Sequence, residues 1–82
     1  MSKEEIEKIV KTTYDTVIKG PADERVDMDI PDLNASMKCS TWTSGRMIQV
    51  DLGTYWLNLK SWNIDRKSII QTITDFLWMM MN

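Results

Sequence analysis

Apolar residues recur three or four positions apart between residues 6 and 18, which is the spacing of one face of an α-helix. Ser2 and Glu5 precede this stripe and fit a capping box, in which each side chain accepts a hydrogen bond from the backbone of the other residue. Gly20-Pro21 follows the last apolar position, and proline cannot continue a helix. The pattern therefore predicts a first helix from about Lys3 to Lys19.

A second, wider apolar stripe runs through the C-terminal end of the chain. Ile69 and Ile73 lie on one side of a helix, and further apolar residues widen the stripe beyond what one sheet face requires. Asn63 or Asp65 would cap the first turn. We predict a second helix from about Asp65 to Met80.

The middle of the chain alternates between apolar and polar residues, as half-buried strands do. Two-residue turns at Ser44-Gly45 and Gly53-Thr54 would join the last three strands into an antiparallel meander. The first strand ends before a polar connection at residues 32–35, and its partner stays open: the second strand, the fourth strand or another subunit. The four predicted strands are Val26–Ile30, Met37–Trp42, Arg46–Leu52 and Tyr55–Lys60.

The predicted turns also determine which side chains share a face of the sheet. One face is nearly all apolar and has to be covered, whereas the other has a polar centre row between two rows that contain tryptophan. The apolar face is predicted to carry Met37, Cys39, Thr41, Ile48, Val50, Leu52, Tyr55, Leu57 and Leu59. The mixed face is predicted to carry the rows Lys38–Asp51–Trp56, Ser40–Gln49–Asn58 and Trp42–Met47–Lys60.

The order α-β-β-β-β-α predicts a two-layer α+β fold, in which N- and C-terminal helices pack on one face of an antiparallel meander sheet. The 82 residues are expected to form one small domain, residues 1–82. A chain of this length buries a modest core, and association of two copies is one way to add stability.

The amino-acid composition limits the kinds of chemical site that the chain can form. The chain has no histidine and a single cysteine, Cys39, which is expected to be inert core. We therefore expect no internal disulfide, no metal site and no cofactor. The sequence contains no nucleophile–base arrangement and no phosphate-binding loop, so we expect no enzymatic activity.

Membrane association is not expected from the sequence. The longest apolar cluster, FLWMMM, is far shorter than the roughly 20 residues of a membrane-spanning helix. The N-terminus is polar and of mixed charge, unlike a signal peptide. A lone cysteine fits a reducing compartment, so we expect a cytoplasmic protein.

The mixed face of the sheet is a candidate binding surface, because tryptophan and methionine are favoured at the centres of protein interfaces. Trp42, Met47 and Trp56 would be its anchors, and Trp62 would extend the same side. Alternatively, a helix covers this face, or each indole lies along a neighbouring long side chain. The polar centre row favours exposure, since a covering helix would have to satisfy its hydrogen bonds. The rim would consist of Lys38, Arg46 and Lys60.

The end of the second helix carries more apolar residues than the predicted core can use. Trp78, Met79 and Met81 point around the helix, and methionine adapts to irregular surfaces. A self-association seam that forms a homodimer, or a docking surface for another protein, would explain the excess. A frayed apolar end is the alternative.

Acidic residues cluster around the first strand: Asp23, Glu24, Asp27, Asp29 and Asp32. This run lacks the glycine and the closing glutamate of a calcium loop. A solvated row that protects a sheet edge is the simpler interpretation. The alternative is that these carboxylates meet a basic site on a partner.

These features together predict a small intracellular protein-binding module, an inhibitor or adaptor that occludes the surface of another protein. Its size suits the small inhibitors of phages and mobile elements, an expectation from length alone. The alternative is a single-stranded nucleic-acid-binding protein whose bases stack on the aromatic face. The net charge of −2 weighs against this alternative.

Overall fold

A computed structural model describes residues 2–18, 25–42, 45–53, 55–60 and 65–81, without the side chains of residues 25–27, 41–42, 45–46 and 60. Two helices flank four strands in the predicted α-β-β-β-β-α order, and the predicted α+β fold is confirmed. Within the described ranges, neither helix is long and apolar enough to cross a membrane. The elements are α1 (Lys3–Val17), β1 (Arg25–Ile30), β2 (Ala35–Trp42), β3 (Gly45–Leu52), β4 (Tyr55–Lys60) and α2 (Arg66–Met81).

The first helix begins at the predicted capping box. The backbone N–H of Glu5 donates to Ser2 Oγ over 3.2 Å, and Glu5 Oε1 accepts from the Ser2 N–H over 3.3 Å. The Glu5 carboxylate accepts hydrogen bonds from the Ser2 N–H and from the Ser2 hydroxyl, and these two bonds hold the pKa of Glu5 below its ordinary value because they stabilise the ionised form. The predicted last residue, Lys19, lies outside the described residues.

The second helix is capped by Asp65, whose Oδ1 accepts the Ser68 backbone N–H over 2.7 Å. This backbone hydrogen bond is the main reason why the pKa of Asp65 is lowered. The helix begins one residue later and ends one residue later than the predicted range Asp65–Met80. The other candidate cap, Asn63, lies outside the described residues.

The strands pair in sequence order, and all neighbours are antiparallel. The strand β1 pairs with β2, so its partner is the first of the predicted alternatives. Between β3 and β4 the predicted register is confirmed, with Leu52 opposite Tyr55 and Met47 opposite Lys60. The glycine in this turn, Gly53, has φ +63°, the left-handed conformation that glycine adopts without strain.

The predicted register between β2 and β3 is wrong by two residues. Trp42 lies opposite Gly45 and Ser40 lies opposite Met47, whereas Trp42 was expected opposite Met47. The connection therefore consists of residues 43–44, and Gly45 belongs to the strand. Side chains alternate with a period of two, so a shift of two residues changes every cross-strand neighbour and leaves every side chain on its predicted face.

The inner face of the sheet is covered by both helices. The helix α1 lies over β1 and β2, and α2 lies over β3 and β4. Most of the predicted apolar face is buried or packed against the core, but Tyr55 is 60% exposed at the end of the edge strand. The fully buried side chains include Ile6, Val10, Met37, Cys39, Ile48, Val50, Ile73 and Leu77.

The connection between β1 and β2 is part of the core and not the polar loop that the sequence predicts. Pro31–Leu33 form a 3₁₀ turn whose Leu33 side chain is only 2% exposed. Asn34 then adopts φ 51°, a left-handed conformation that asparagine tolerates better than most residues. The turn thereby folds Leu33 under the sheet before β2 begins.

Two ion pairs join the helices at their opposite ends. Lys3 Nζ lies 2.7 Å from Asp75 Oδ1, and Arg66 makes two hydrogen bonds of 2.9 and 2.7 Å to the Asp15 carboxylate. The hydrogen bonds to Asp15 raise the pKa of Arg66. All four side chains are about half exposed, so these pairs define the antiparallel orientation of the helices more than they stabilise the fold.

Replacing Leu33 by alanine should destabilise the protein by about 3 kcal/mol, since the substitution leaves a cavity beneath the 3₁₀ turn. Urea unfolding followed by circular dichroism measures the change. Asp32→Ala, next to it and exposed, is the matched control and should change stability little. Equal effects of the two variants would contradict the assigned burial.

The cap of α2 should make stability depend on pH. Because the folded pKa of Asp65 lies below its ordinary value of 3.8, the contribution of this carboxylate is fully present above that value and is lost as the pH falls through the folded pKa. Asparagine caps a helix equally well and does not titrate. We expect wild type to lose more stability than Asp65→Asn between about pH 7 and about pH 3, measured by urea unfolding. Parallel losses would show that the cap does not titrate.

Candidate binding surface on the outer face of the sheet

The face of the sheet opposite the helices, here called the outer face, is not covered by any helix or strand among the described residues. Every outer-face side chain that the structure describes is exposed or half-buried. The strand pairing arranges the face in four rows: Asp29–Ser36–Asp51–Trp56, Asp27–Lys38–Gln49–Asn58, Arg25–Ser40–Met47–Lys60, and Trp42–Gly45.

Trp56 dominates one end of the outer face. Its side chain is 64% exposed, although an indole usually finds at least partial burial. The residue lies on the edge strand β4, directly opposite Asp51. The indole is therefore available to a partner from above the sheet and from beyond its edge.

Lys38 and Asp51 form an ion pair beside this indole. Lys38 Nζ lies 3.1 Å from Asp51 Oδ2, and Gln49 Nε2 donates to Asp51 Oδ1 over 2.8 Å. The two charged residues are diagonal neighbours across β2 and β3, not the directly opposed pair that the sequence predicted. Lys38 is thus half-buried and paired within the surface, where it holds the carboxylate in place, and is not a free rim cation.

The predicted anchors do not form one cluster. Trp56 and Met47 lie two rows apart on neighbouring strands, which corresponds to about 13 Å along the strand direction. The shifted β2–β3 register moves the backbone of Trp42 one row further from Trp56 than predicted. Met47 is half-buried and lies between Ser40 and Lys60. Trp56 therefore stands apart, with Asp51 and Asn58 as its outer-face neighbours.

Several predicted site residues lie outside the described part of the chain. Trp62 is one of them, and for Trp42, Arg46 and Lys60 only the backbone is described. Arg46 pairs with Thr41, and Lys60 pairs with Met47. Their predicted roles as rim residues stay predictions.

An open cleft of about 440 Å³ lies at the end of the sheet nearest Trp56. Two carboxylates from different strands, Asp29 and Asp51, line it together with Ser36 between them. Sequence reasoning missed this grouping, because it depends on β1 pairing with β2 and on the two-residue shift between β2 and β3. The only sequence signal was the clustering of acidic residues near β1.

The acidic run itself shows no cation-binding geometry in the residues described. Asp29 and Asp32 are exposed, and no group of three potential metal ligands is found among the described side chains. Asp23 and Glu24 lie outside the described residues, as does the side chain of Asp27.

The end of α2 exposes three methionines. Met79 is 65% exposed, Met80 39% and Met81 40%, while Trp78 is half-buried against the core. Two residues of an α-helix span about 200° around its axis, so Met79 and Met81 project to opposite sides. A seam that uses Trp78, Met79 and Met81 together stays a prediction, and it would have to wrap around the helix end.

Comparisons with known proteins add no relative for this chain. No protein-family model, no curated protein and no solved structure matches it. Function is therefore argued from the geometry of the outer face and of the β4 edge.

The Lys38–Asp51 pair should contribute measurably to stability. Its side chains are 29% and 25% exposed, less than those of the Glu7–Lys11 pair on α1, which are about half exposed. A double-mutant cycle should give a coupling free energy of about 1 kcal/mol for Lys38–Asp51 and about 0.3 kcal/mol for Glu7–Lys11. The test is urea unfolding of single and double methionine or alanine variants at two salt concentrations. A larger coupling for the helix pair would contradict the partly buried position of Asp51.

Proposed function

We propose that this protein is a protein-binding module that acts as an inhibitor or adaptor by covering the surface of a partner with the outer face of its sheet. The observation that carries the proposal is the 64% exposure of Trp56 on a sheet face that no described element covers. The proposal involves occlusion and no chemical step.

Burial of the Trp56 indole would supply much of the binding free energy. Tryptophan carries one of the largest apolar surfaces of any side chain, and it is enriched among the few residues that dominate interface free energies. Trp56 leaves most of this surface in water in the isolated chain. A partner that buries the ring therefore gains apolar burial without first displacing another side chain from it.

The surroundings of Trp56 restrict the partner. Asp51 lies opposite the indole, and Asp29 lies in the same row on β1. A complementary partner would offer an apolar pocket for the ring and a lysine or arginine beside it, which could pair with these carboxylates and stack on the indole. This geometry favours a basic target site, in agreement with the second interpretation of the acidic run.

The ordered polar groups next to the indole support recognition. Gln49 and Lys38 hold both oxygens of Asp51, so this carboxylate loses little conformational freedom on binding. We propose a cytoplasmic location because the one cysteine, Cys39, is a buried thiol that forms no disulfide.

Substitution of Trp56 by alanine should abolish partner capture and leave the fold intact, because the indole contributes little to the core. Met79→Ala is the comparison variant, since Met79 is 65% exposed but lies on the helix layer: binding by the outer face predicts that it retains the partner, whereas docking at the end of α2 predicts its loss. Tagged wild type and both variants are used for affinity capture from the cells that make the protein, with quantification by mass spectrometry. We expect proteins retained by wild type and Met79→Ala and lost with Trp56→Ala. If Trp56→Ala unfolds the domain, or retains the same proteins, the proposed surface is wrong.

Single-stranded nucleic acid is the second candidate ligand, favoured by an exposed indole on a sheet. It predicts quenching of tryptophan fluorescence by a short oligonucleotide, with an affinity that falls steeply as salt rises. The carboxylates of Asp29 and Asp51 in the same row as Trp56 oppose this ligand, so we expect no quenching by the oligonucleotide. Salt-sensitive quenching that is lost in Trp56→Ala would favour nucleic acid over a protein partner.

A further inference from the structure

We propose that the free edge of β4 and the adjoining flank of α2 form a single interface for a second copy of this chain. The two copies would pair β4 with β4 in antiparallel orientation, giving one continuous eight-stranded sheet with α2 beside its symmetry mate. This inference goes beyond the proposed function, because the outer face stays open in such a dimer.

The two edge strands of the sheet differ in the features that prevent pairing with another chain. The strand β1, RVDMDI, has three charged residues and is followed by Pro31. Charges and proline are the usual means by which an edge strand avoids pairing with another chain. The strand β4, YWLNLK, contains no proline and no charge before its last residue. In the part of the chain that the structure describes, no strand pairs with the outer edge of β4, which leaves this edge open to strand addition.

The flank of α2 above this edge is apolar. Lys67, Gln71 and Thr74 line a cleft that α2 shares with α1 residues, so this side of the helix faces α1. Phe76 and Met80 lie on the opposite side of the helix, at 100° per residue. The helix α1 lies over β1 and β2, and α2 lies over β3 and β4. The side of α2 that faces away from α1 therefore projects beyond the β4 edge. Phe76 is half-buried there, and Met80 is 39% exposed.

A second copy fits both parts of this surface at once. Each helix covers two strands, which occupy about 9.6 Å, and packed helices lie 8–10 Å apart, so joining the sheets also brings α2 against its symmetry mate. Phe76 and Met80 then bury against their counterparts. Pairing of β1 with β1 of a second copy would instead bring the aspartates of the two strands, such as Asp29, close to each other. Like charges across a strand pair are destabilising.

One register matches the residues of β4 best. With Leu57 opposite the partner's Leu57, Tyr55 lies opposite the partner's Leu59, and Trp56 lies opposite the partner's Asn58. This register places three apolar pairs on the inner side, where Leu57 and Leu59 are only half-buried and Tyr55 is 60% exposed. Moving the symmetry axis to Asn58 or to Trp56 would keep only two apolar pairs, and it would leave Tyr55 uncovered in the first case and Leu59 in the second.

The backbone geometry agrees with this register. Leu52 and Tyr55 are opposite each other at the turn. In a hairpin with a two-residue turn the flanking residues form a hydrogen-bonded pair, and such pairs alternate along the strands with pairs that are not hydrogen-bonded. Trp56 and Asn58 therefore direct their backbone groups to the free edge. In the proposed register, these two residues face each other across the symmetry axis and can exchange those hydrogen bonds. The two Trp56 side chains then lie near each other on the common outer face.

Sedimentation velocity of the full chain tests the dimer. We expect wild type to sediment with twice the 9.6 kDa of one chain. Met80→Lys should give a monomer, because it places two ammonium groups at the α2 contact. Met81→Lys separates this interface from the seam of Trp78, Met79 and Met81: Met81 is equally exposed, at 40%, but lies about 100° away around the helix, so the variant should stay dimeric here, whereas the seam predicts a monomer. A monomeric wild type up to about 100 μM, or a dimer broken by Met81→Lys and not by Met80→Lys, would overturn the proposal.

A backbone variant tests the strand pairing separately. Asn58→Pro removes an N–H from the free edge only. Circular dichroism should therefore show a folded protein and sedimentation a monomer, whereas Asn58→Thr should stay dimeric.

If Asn58→Pro fails to fold, Leu57→Cys tests the pairing instead. An intersubunit disulfide under mild oxidation supports the register, since only residue 57 lies opposite its own counterpart. A folded, dimeric Asn58→Pro, or a disulfide formed by Asn58→Cys in place of Leu57→Cys, contradicts the pairing. Partner capture is measured independently, so loss of the dimer and loss of the proposed function are distinguishable.

Discussion

The burial of the inner sheet face beneath two antiparallel helices is the constraint from which the other features follow. Each strand alternates its side chains, so placing Met37 and Val50 under the helices obliges their neighbours to point away. Each helix covers two strands, and four strands therefore use both helices completely. Nothing among the described residues remains to cover the outer face or the edge of β4. The outer face and the β4 edge are thus available for binding because packing of the core does not use them.

Two such surfaces have different physical character. The outer face is mixed, with one exposed indole beside an ion pair that orders its carboxylate, which suits recognition of a specific partner. The β4 edge and the flank of α2 are apolar and carry almost no charge, which suits association with an identical surface. Trp56 belongs to the first surface by its side chain and to the second by its backbone. A dimer would therefore present two indoles on one continuous face.

Short sequence patterns correctly predicted the features that depend only on residues close together in the chain. The capping box of Ser2 and Glu5, the cap at Asp65 and the turn at Gly53 each involve residues within one turn of chain, and all three are present in the structure. The connection after β1 was misread because its one apolar residue, Leu33, shows no periodicity. Its burial depends on how the whole core packs around it.

The amino-acid sequence was enough to define the two helices, the four strands and the face on which each strand residue lies, because these follow from periods of 3.6 and 2 residues and from short-range hydrogen bonds. It was insufficient for the β2–β3 register, since a shift of two residues keeps the same faces and the same alternation. The partner of β1, the ion pair of Lys38 with Asp51 and the separation of Trp42 from Trp56 required the folded chain. These features depend on contacts between segments distant in sequence, which packing of the whole core selects.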